Sequence, residues 1–476
     1  MIVDGAEFWL IVVLAAPAAA GLVPLPLGPR GSEIAARVLS VVTWIAAAIL
    51  LATSASGQWG GYFGIDTVSN VFLFLVASIY ALSTWFSSSY LRSIHTPFLT
   101  PPLYYGLLGA FAFAMLLTIS VSDLGLMWIG VEGTTIASAL LIVLERRPAS
   151  VEAAWRYTLI ASAGLAIALF ALLFLYGTTG TLNAFTLAAN PVAATLPVAA
   201  AVGLALVGYG TKVGLFPMHT WLPDAHSEAP SPISALFSGV LLPTALYAFL
   251  RIYDVVQTPV PAALSDLVIV FGLATAVVAA FLIQQQRSFK RLFAYSSMEV
   301  MGLTVVGIGL GGVALYGALL LLVAHAFAKS AAFYCSGNVL RATGTTRIDT
   351  VRGLKARMPY TAGTWVASAA AVTGAPPFGT FVGELVILAG AFAIGAYWVA
   401  AVLVVAIVIA FLGVNVQVGR MVFGTEAPGA APLRDPLRDL VAPWLALGMA
   451  LALGVASVPY LAPAIQTAAT TLGGAL

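Results

Sequence analysis

Six ionisable side chains stand inside strongly apolar stretches of this sequence. Glu132 lies in MWIGVEGTTIA, Lys212 in VGYGTKVGLFP, Glu299 in SSMEVMGL and Glu384 in GTFVGELVIL, while His325 and Lys329 share LLVAHAFAKSAAF. His325 and Lys329 are four positions apart and so share one helical face. A charge at the centre of a membrane helix costs about 2.5–3.5 kcal/mol on insertion scales. Groups of this kind face a bundle interior, pair with one another and mark ion or proton paths. The residue types favour protons. Burial disfavours the charged form of a lysine and a nearby carboxylate favours it, so a change in the Glu132–Lys212 distance would move a proton. A sodium site would want convergent oxygen ligands without an ammonium beside them. Structural ion pairs that fix helix packing are the competing reading, and they fit Glu299, near a basic helix end, as well as a proton role does.

The elements that must position these groups follow from composition. Of 476 residues, 61% are hydrophobic and only 8% charged, with a mean hydropathy of +1.02, against about 25% charged in a soluble domain. Apolar runs of 18 or more residues recur along the chain, which predicts an all-α polytopic membrane protein. The first run is preceded by Asp4 and Glu7 rather than by basic residues, so it reads as a membrane helix and not as a cleavable signal. One cysteine, Cys335, excludes an internal disulfide and a multi-thiolate site. The four histidines, His95, His219, His226 and His325, lack metal-ligand spacing. No cofactor is expected in the chain, nor a nucleotide-binding loop or nucleophile elbow.

The runs predict about fourteen helices, near 8–27, 35–55, 66–91, 104–122, 124–144, 151–177, 196–221, 229–256, 264–286, 289–311, 313–342, 360–396, 397–423 and 440–468. The run at 360–396 is too long for one straight span and contains GAPPFG, so it reads as one helix broken in the middle. With the N-terminus outside, every Lys and Arg between Arg30 and Arg438 falls in an inside loop, except Arg251 and the two intrahelical lysines Lys212 and Lys329. That bias supports fourteen spans with both termini outside. Arg287, Lys290 and Arg291 read as boundary anchors, and His219 and His226 as capping or loop residues ahead of proton entry.

Helices 4–8 and 9–13 share a pattern. Each set has a mid-helix glutamate in its second member (Glu132, Glu299) and a proline-interrupted fourth member with an ionisable residue at the break (Lys212, Glu384). Five helices per unit place the second unit upside down, the arrangement of transporters with inverted repeats and discontinuous helices, here helices 7 and 12. The expected divisions are residues 1–103 with helices 1–3, 104–256 and 257–423 with the two repeats, and 424–476 with helix 14.

The segments KVGLFPMHTWLPDAHSEAPSPISALFSG, FKRLFAYSSMEVMG, AHAFAKSAAFYCSGNVL and GAPPFGTFVGELVIL resemble, in order, the antiporter-like subunits of respiratory complex I, Mrp antiporters and group 4 NiFe hydrogenases. The resemblance spans helices 3 to 13 and is nearest to the hydrogenase-4 component F type. It implies a proton-translocating subunit with roles for Glu132 and Lys212 as a pair, His325 and Lys329 as a central link, and Glu384 as an exit. His219, His226 and Glu299 are accessory candidates. It implies, as partners, sister membrane subunits and a peripheral redox arm with iron–sulfur centres and, in the hydrogenase reading, a NiFe centre. It also implies a prokaryotic plasma membrane and no nucleic acid.

Two departures accompany the resemblance. Pro243 stands where relatives carry a bridging lysine in helix 8, and Val300 where they often carry a histidine. They keep two alternatives open: an Mrp-type sodium/proton antiporter subunit, and a non-conducting structural subunit.

Overall fold

The computed structural model describes residues 5–94, 97–256, 260–425, 432–456 and 458–473. The chain is a helical bundle whose crossings we number α1–α14. These are α1 Gly5–Leu22, α2 Pro29–Ala52, α3 Thr67–Leu91, α4 Pro101–Ser120, α5 Leu124–Ile142, α6 Pro148–Thr179, the half-helices α7a Leu196–Val213 and α7b Trp221–Glu228, and α8 Ser231–Tyr253. Then follow α9 Ala262–Gln284, α10 Phe289–Leu310, α11 Gly312–Thr343, the half-helices α12a Pro359–Val372 and α12b Gly379–Ala393, α13 Tyr397–Phe423 and α14 Val441–Val455. A further helix, α15 Leu461–Gly473, closes the described chain. Among the described residues thirteen helical stretches are long and apolar enough to span a membrane by themselves, the last counted from Leu437 through α14, and the two halves of α12 make the fourteenth. The expected unit boundary at 256/257 abuts residues 257–259, which lie outside the described residues, as does His95.

Loop contacts sort the connections onto two faces. On one, the hairpin of β1 Gly57–Trp59 and β2 Phe63–Ile65 bridges to Val121, Asp123 bridges to Asn183, and Val192 to Val256. On the other, Asp224 binds both Arg156 (3.2 Å) and Arg291 (2.8 Å), Ser288 bridges to Arg347, and Arg341 binds Asp439 at 3.0 Å. These pairings join the same loops that the lysine and arginine distribution assigned to one side.

Both broken helices use one device. α7a ends at Gly214 (φ +85°) and α12a just before Gly374 (φ +67°), conformations open to glycine. The next residue closes back over the last turn, Leu215 N–H to Gly210 C=O at 2.8 Å and Ala375 N–H to Ala370 C=O at 3.0 Å, the Schellman pattern. Three residues past each glycine stands a proline, Pro217 and Pro377, after a cis bond. A side chain from the second half then donates to a carbonyl of the first: Trp221 Nε1 to Thr211 at 2.7 Å, and Thr380 Oγ1 to Ala371. In hydrocarbon such carbonyls have no water to turn to.

Four expectations need correction. Helix 7 was expected to run to 221 but ends at Val213, because the αL glycine stops it before the proline. Helix 14 was expected as one span over 440–468, but α14 ends at Val455 and α15 begins after Pro459, a residue that cannot continue a helix. Arg251 is not a loop cation. It is 5% exposed in the last turn of α8 and binds Asp66, the N-cap of α3, at 2.6 Å. Lys290 is no interfacial anchor either, since its ammonium is buried and donates to the Ala229 carbonyl.

The Asp66–Arg251 contact ties α3 to α8. Asp66 also accepts from the N–H (2.8 Å) and hydroxyl (3.0 Å) of Ser69, whose Oγ lies 3.0 Å from Tyr247 OH. Burial by itself raises the Asp66 carboxyl, but Arg251 and the Ser69 bonds outweigh it and hold the group below its ordinary range. A carboxyl held low contributes stability above its unfolded pKa and loses it as pH falls through the lowered value. Asp66→Asn leaves a buried guanidinium without its carboxylate, so stability should drop by about 2–3 kcal/mol, less than for a fully buried pair because Asp66 is 20% exposed. A lower Tm at neutral pH with the difference from wild type shrinking below the usual aspartate range is expected, and equal Tm values at neutral pH would refute the role. The second break gives another expectation. A methyl group on Gly374 would sit 1.9 Å from Glu384 Oε2, so Gly374→Ala should displace that carboxyl and lower Tm. Gly363→Ala on α12a, with nothing within 4 Å, should leave Tm unchanged.

Candidate functional site

Besides Lys290, two buried ammonium groups, Lys212 and Lys329, organise the interior. Lys212 is wholly buried in the last turn of α7a, two residues before the helix-ending glycine, where a cation meets the negative end of the helix dipole. Its Nζ donates to Thr135 Oγ1 of α5 at 2.5 Å and to Tyr157 OH of α6 at 2.7 Å, and it lies 4.7 Å from the Tyr157 ring centroid. Tyr157 OH also lies 2.8 Å from Ser138 Oγ. Glu132, one turn before Thr135 on α5, receives a 2.6 Å bond from Ser162 Oγ of α6 at one carboxylate oxygen. The other oxygen has no protein partner among the described residues. No ion pair within 4 Å joins Glu132 to Lys212: the two lie within electrostatic range of each other, and hydroxyls sit directly on the ammonium. Glu132 is only partly buried and lies near the outward stripe of Ile129 and Ile136, which are 54% and 63% exposed.

The second centre repeats the first with a hydroxyl and a carbonyl. Lys329 of α11 donates to Ser296 Oγ of α10 at 2.8 Å and to the Phe293 carbonyl at 2.6 Å. Glu299 lies one turn past Ser296 on α10, buried, within electrostatic range of both Lys329 and Glu384. Glu384 rides on α12b, held against α11 where Gly383 meets the Leu321 backbone and Gly317 meets the Ile387 backbone, both close enough to bar a Cβ. Small residues permit that approach between membrane helices. Its carboxyl rests on Gly374, across the break from its own half-helix. Lys212 and Glu384 therefore lie on opposite sides of their breaks, and their correspondence in the repeat is one of helix and not of position.

Beside Tyr157 runs an aromatic seam that takes in the His226 imidazole. The Tyr157 and Phe237 centroids are 5.8 Å apart, His226 meets Phe237 edge-on at 5.6 Å, and it stacks on Phe333 at 5.6 Å. His226 was read as a capping or loop residue; α7b instead turns it fully inward. His325, one turn from Lys329, is also fully buried, and neither ring has a hydrogen-bond partner on either nitrogen among the described residues. Buried polar groups without protein partners are ordinarily met by ordered water. His219 stays apart, at the break of helix 7 against Phe216 and Tyr295.

The sequence had no signal for Thr135, Tyr157 or Ser296 as ammonium partners, nor for Ser138 behind Tyr157, because serines, threonines and tyrosines are frequent in such helices and only contact singles them out. Pro243 leaves its own mark. The helix widens to a π turn over Phe237–Leu241, with Leu242 N–H bonded to the Phe237 carbonyl, just before the proline. Proline lacks the donor and crowds the carbonyl four residues back, and the wide turn accommodates it. Ser238, inside that turn, lies 2.7 Å from Ser297 Oγ of α10. No cluster of three or more His, Cys, Asp or Glu converges as a metal site among the described residues.

Residues 121–410, which hold every group named above, match the membrane family described as NADH:quinone oxidoreductase/Mrp antiporter, TM. A hydrogenase-4 component F homolog from Methylacidiphilum infernorum is 35% identical over 391 residues, which cover 79% of this chain and 82% of that one. NADH-quinone oxidoreductase subunit N of Desulforudis audaxviator is 33% identical over 352 residues, covering 73% and 70%. A chain of the Mrp complex from Dietzia sp. has the same fold, with a TM-score of 0.88 over 98% of each chain at 21% identity. With its matched helices, its two broken crossings and its buried lysines, the chain belongs to the family of NADH:quinone oxidoreductase and Mrp antiporter membrane subunits.

Proposed function

We propose that this chain is the proton-translocating subunit of a membrane-bound redox complex of the group 4 NiFe hydrogenase or complex I type. The observation that carries the reading is the pair of buried ammonium centres. Each lysine is held by hydroxyl or carbonyl oxygens, a glutamate lies one turn from the hydroxyl residue that holds it (Thr135 or Ser296), and His226 and His325 are buried in the same interior. Hydroxyls can donate and accept, so they let a proton pass where a fixed ion pair would hold it. Residues 104–256 and 257–423 act as the two half-channels, with Glu132 and Lys212 at one end and Glu384 at the other. Electron transfer in a peripheral arm, with iron–sulfur and NiFe centres, would change the Glu132–Lys212 distance. The proton shift would then pass through His325 and Lys329. Sister membrane subunits cover the partly exposed Glu132 face. The lysine and arginine bias supports both termini outside, and the bacterial relatives support a prokaryotic plasma membrane.

The 35% identity with a hydrogenase-4 component F homolog favours the redox-complex reading over an Mrp-type sodium/proton antiporter. The absence of any Asp, Glu, His, Lys or Arg in α8 between Ser231 and Leu250 favours the third reading, a non-conducting spacer.

Redox-driven proton uptake in vesicles holding the whole complex tests the proposal, comparing wild type with Lys212→Ala. We expect electron transfer to remain measurable while the proton-to-electron ratio falls. An unchanged ratio in an assembled complex would sink the pumping role. Substituting sodium for potassium in the same assay decides the ion, since a sodium-dependent ratio would favour the Mrp-type reading.

A further inference from the structure

We infer that the arginine-rich face of this chain carries a binding site for an anionic phospholipid, with its headgroup in a basin and an acyl chain in an adjoining groove. The groove, about 670 Å³, runs between α2, α3, α11 and α14 and is walled by Phe74, Leu82, Phe86, Phe327, Leu445 and Met449. It opens sideways from the bundle, past Trp85, which is 51% exposed and stacks on the Arg37 guanidinium at 4.9 Å. The basin, about 200 Å³, is lined by Arg92, Arg341, Arg434 and Arg438 with Asp435 and Asp439. Basin and groove share Ser89, Arg92, Arg438 and Asp439, so they form one continuous amphipathic cleft.

The charges leave room for an anion. Glu33 is shared by Arg37 (2.9 Å) and Arg92 (2.8 Å), and Asp439 by Arg341 (3.0 Å) and Arg438 (3.7 Å). Asp435 spends its oxygens on the first turn of α12a, taking the N–H groups of Tyr360 (2.9 Å) and Thr361 (3.1 Å). Five guanidinium groups thus meet three carboxylates, and Arg434 shows no ion pair or hydrogen bond among the described residues. A surplus of two positive charges above an apolar slot suits a phosphodiester with a hydrocarbon tail. A bare phosphate would leave the slot empty, and an uncharged helix would leave the Arg434 guanidinium without a counter-charge. The dimensions agree as well. Phe74 to Trp85 on α3 spans about 16 Å at 1.5 Å per residue, close to one leaflet of a hydrocarbon core of about 30 Å. Phe327 lies between His325 and Lys329 on α11, so a seated chain would brace the helix that carries both.

The test uses the purified complex containing this chain in phosphatidylcholine nanodiscs with and without phosphatidylglycerol, with retained lipid counted by native mass spectrometry. Wild type should retain phosphatidylglycerol over phosphatidylcholine. R434Q/R438Q, which touches exposed side chains only, should weaken that retention on the order of 30-fold, from two cations at about 1 kcal/mol each. A442W, which fills the groove without changing charge, should weaken it independently, and both variants should keep the wild-type Tm in phosphatidylcholine alone. Equal retention of the two lipids, or phosphatidylglycerol retention surviving both variants, overturns the site. Displacement of the lipid by inorganic phosphate alone would mean an anion basin without a lipid groove and overturns it too. So would a cross-link from position 442 to a neighbouring subunit in the lipid-replete complex.

Discussion

In the hydrocarbon layer no solvent can repair an unmet hydrogen bond, and the interior of this protein is arranged around that limit. Breaking a helix at membrane depth frees carbonyls and donors. Here both breaks carry their own repair: an αL glycine, a return bond onto the last turn, and one side chain from the far half that reaches back to a freed carbonyl. The repair makes it possible to place Lys212 beside one break and Glu384 across the other without unravelling either helix.

The same limit decides how the lysines are held. A direct carboxylate contact would fix each ammonium in one state. Lys212 and Lys329 instead rest on hydroxyl and carbonyl oxygens, with Glu132 and Glu299 displaced by one helical turn. Thr135 and Ser296 are the intermediates on the two glutamate-bearing helices, so the two halves reach one solution with different residues. The halves differ at the charge itself, since Lys212 precedes its glycine by two positions and Glu384 follows its own by ten.

α8, wholly buried, separates the two centres and brings no titratable group to its middle. Pro243 and its π turn set Phe237 and Ser238 there. The imidazole that meets Phe237 comes from elsewhere, His226 from α7b, while His325 is buried on α11. The imidazole beside α8 therefore depends on a half-helix that the chain places only by breaking helix 7.

The sequence by itself determined the membrane class, the fourteen crossings, the two interrupted helices and the ionisable residues worth attention. Each of these follows from local chemistry: run length, lysine and arginine placement, proline with glycine, and the cost of a charge among apolar neighbours. The same local reading misjudged Arg251 and Lys290, because near a helix end nothing in the sequence tells a solvated cation from one turned inward onto Asp66 or the Ala229 carbonyl. It also took His226 for a loop residue, since the extent of α7b is set by contacts and not by hydrophobic run. Only tertiary structure decided which oxygens hold each ammonium. Thr135, Tyr157 and Ser296 are ordinary helix residues until the crossing of α5, α6, α7a, α10 and α11 brings them within hydrogen-bond reach, and that crossing is fixed by packing between helices far apart in the chain.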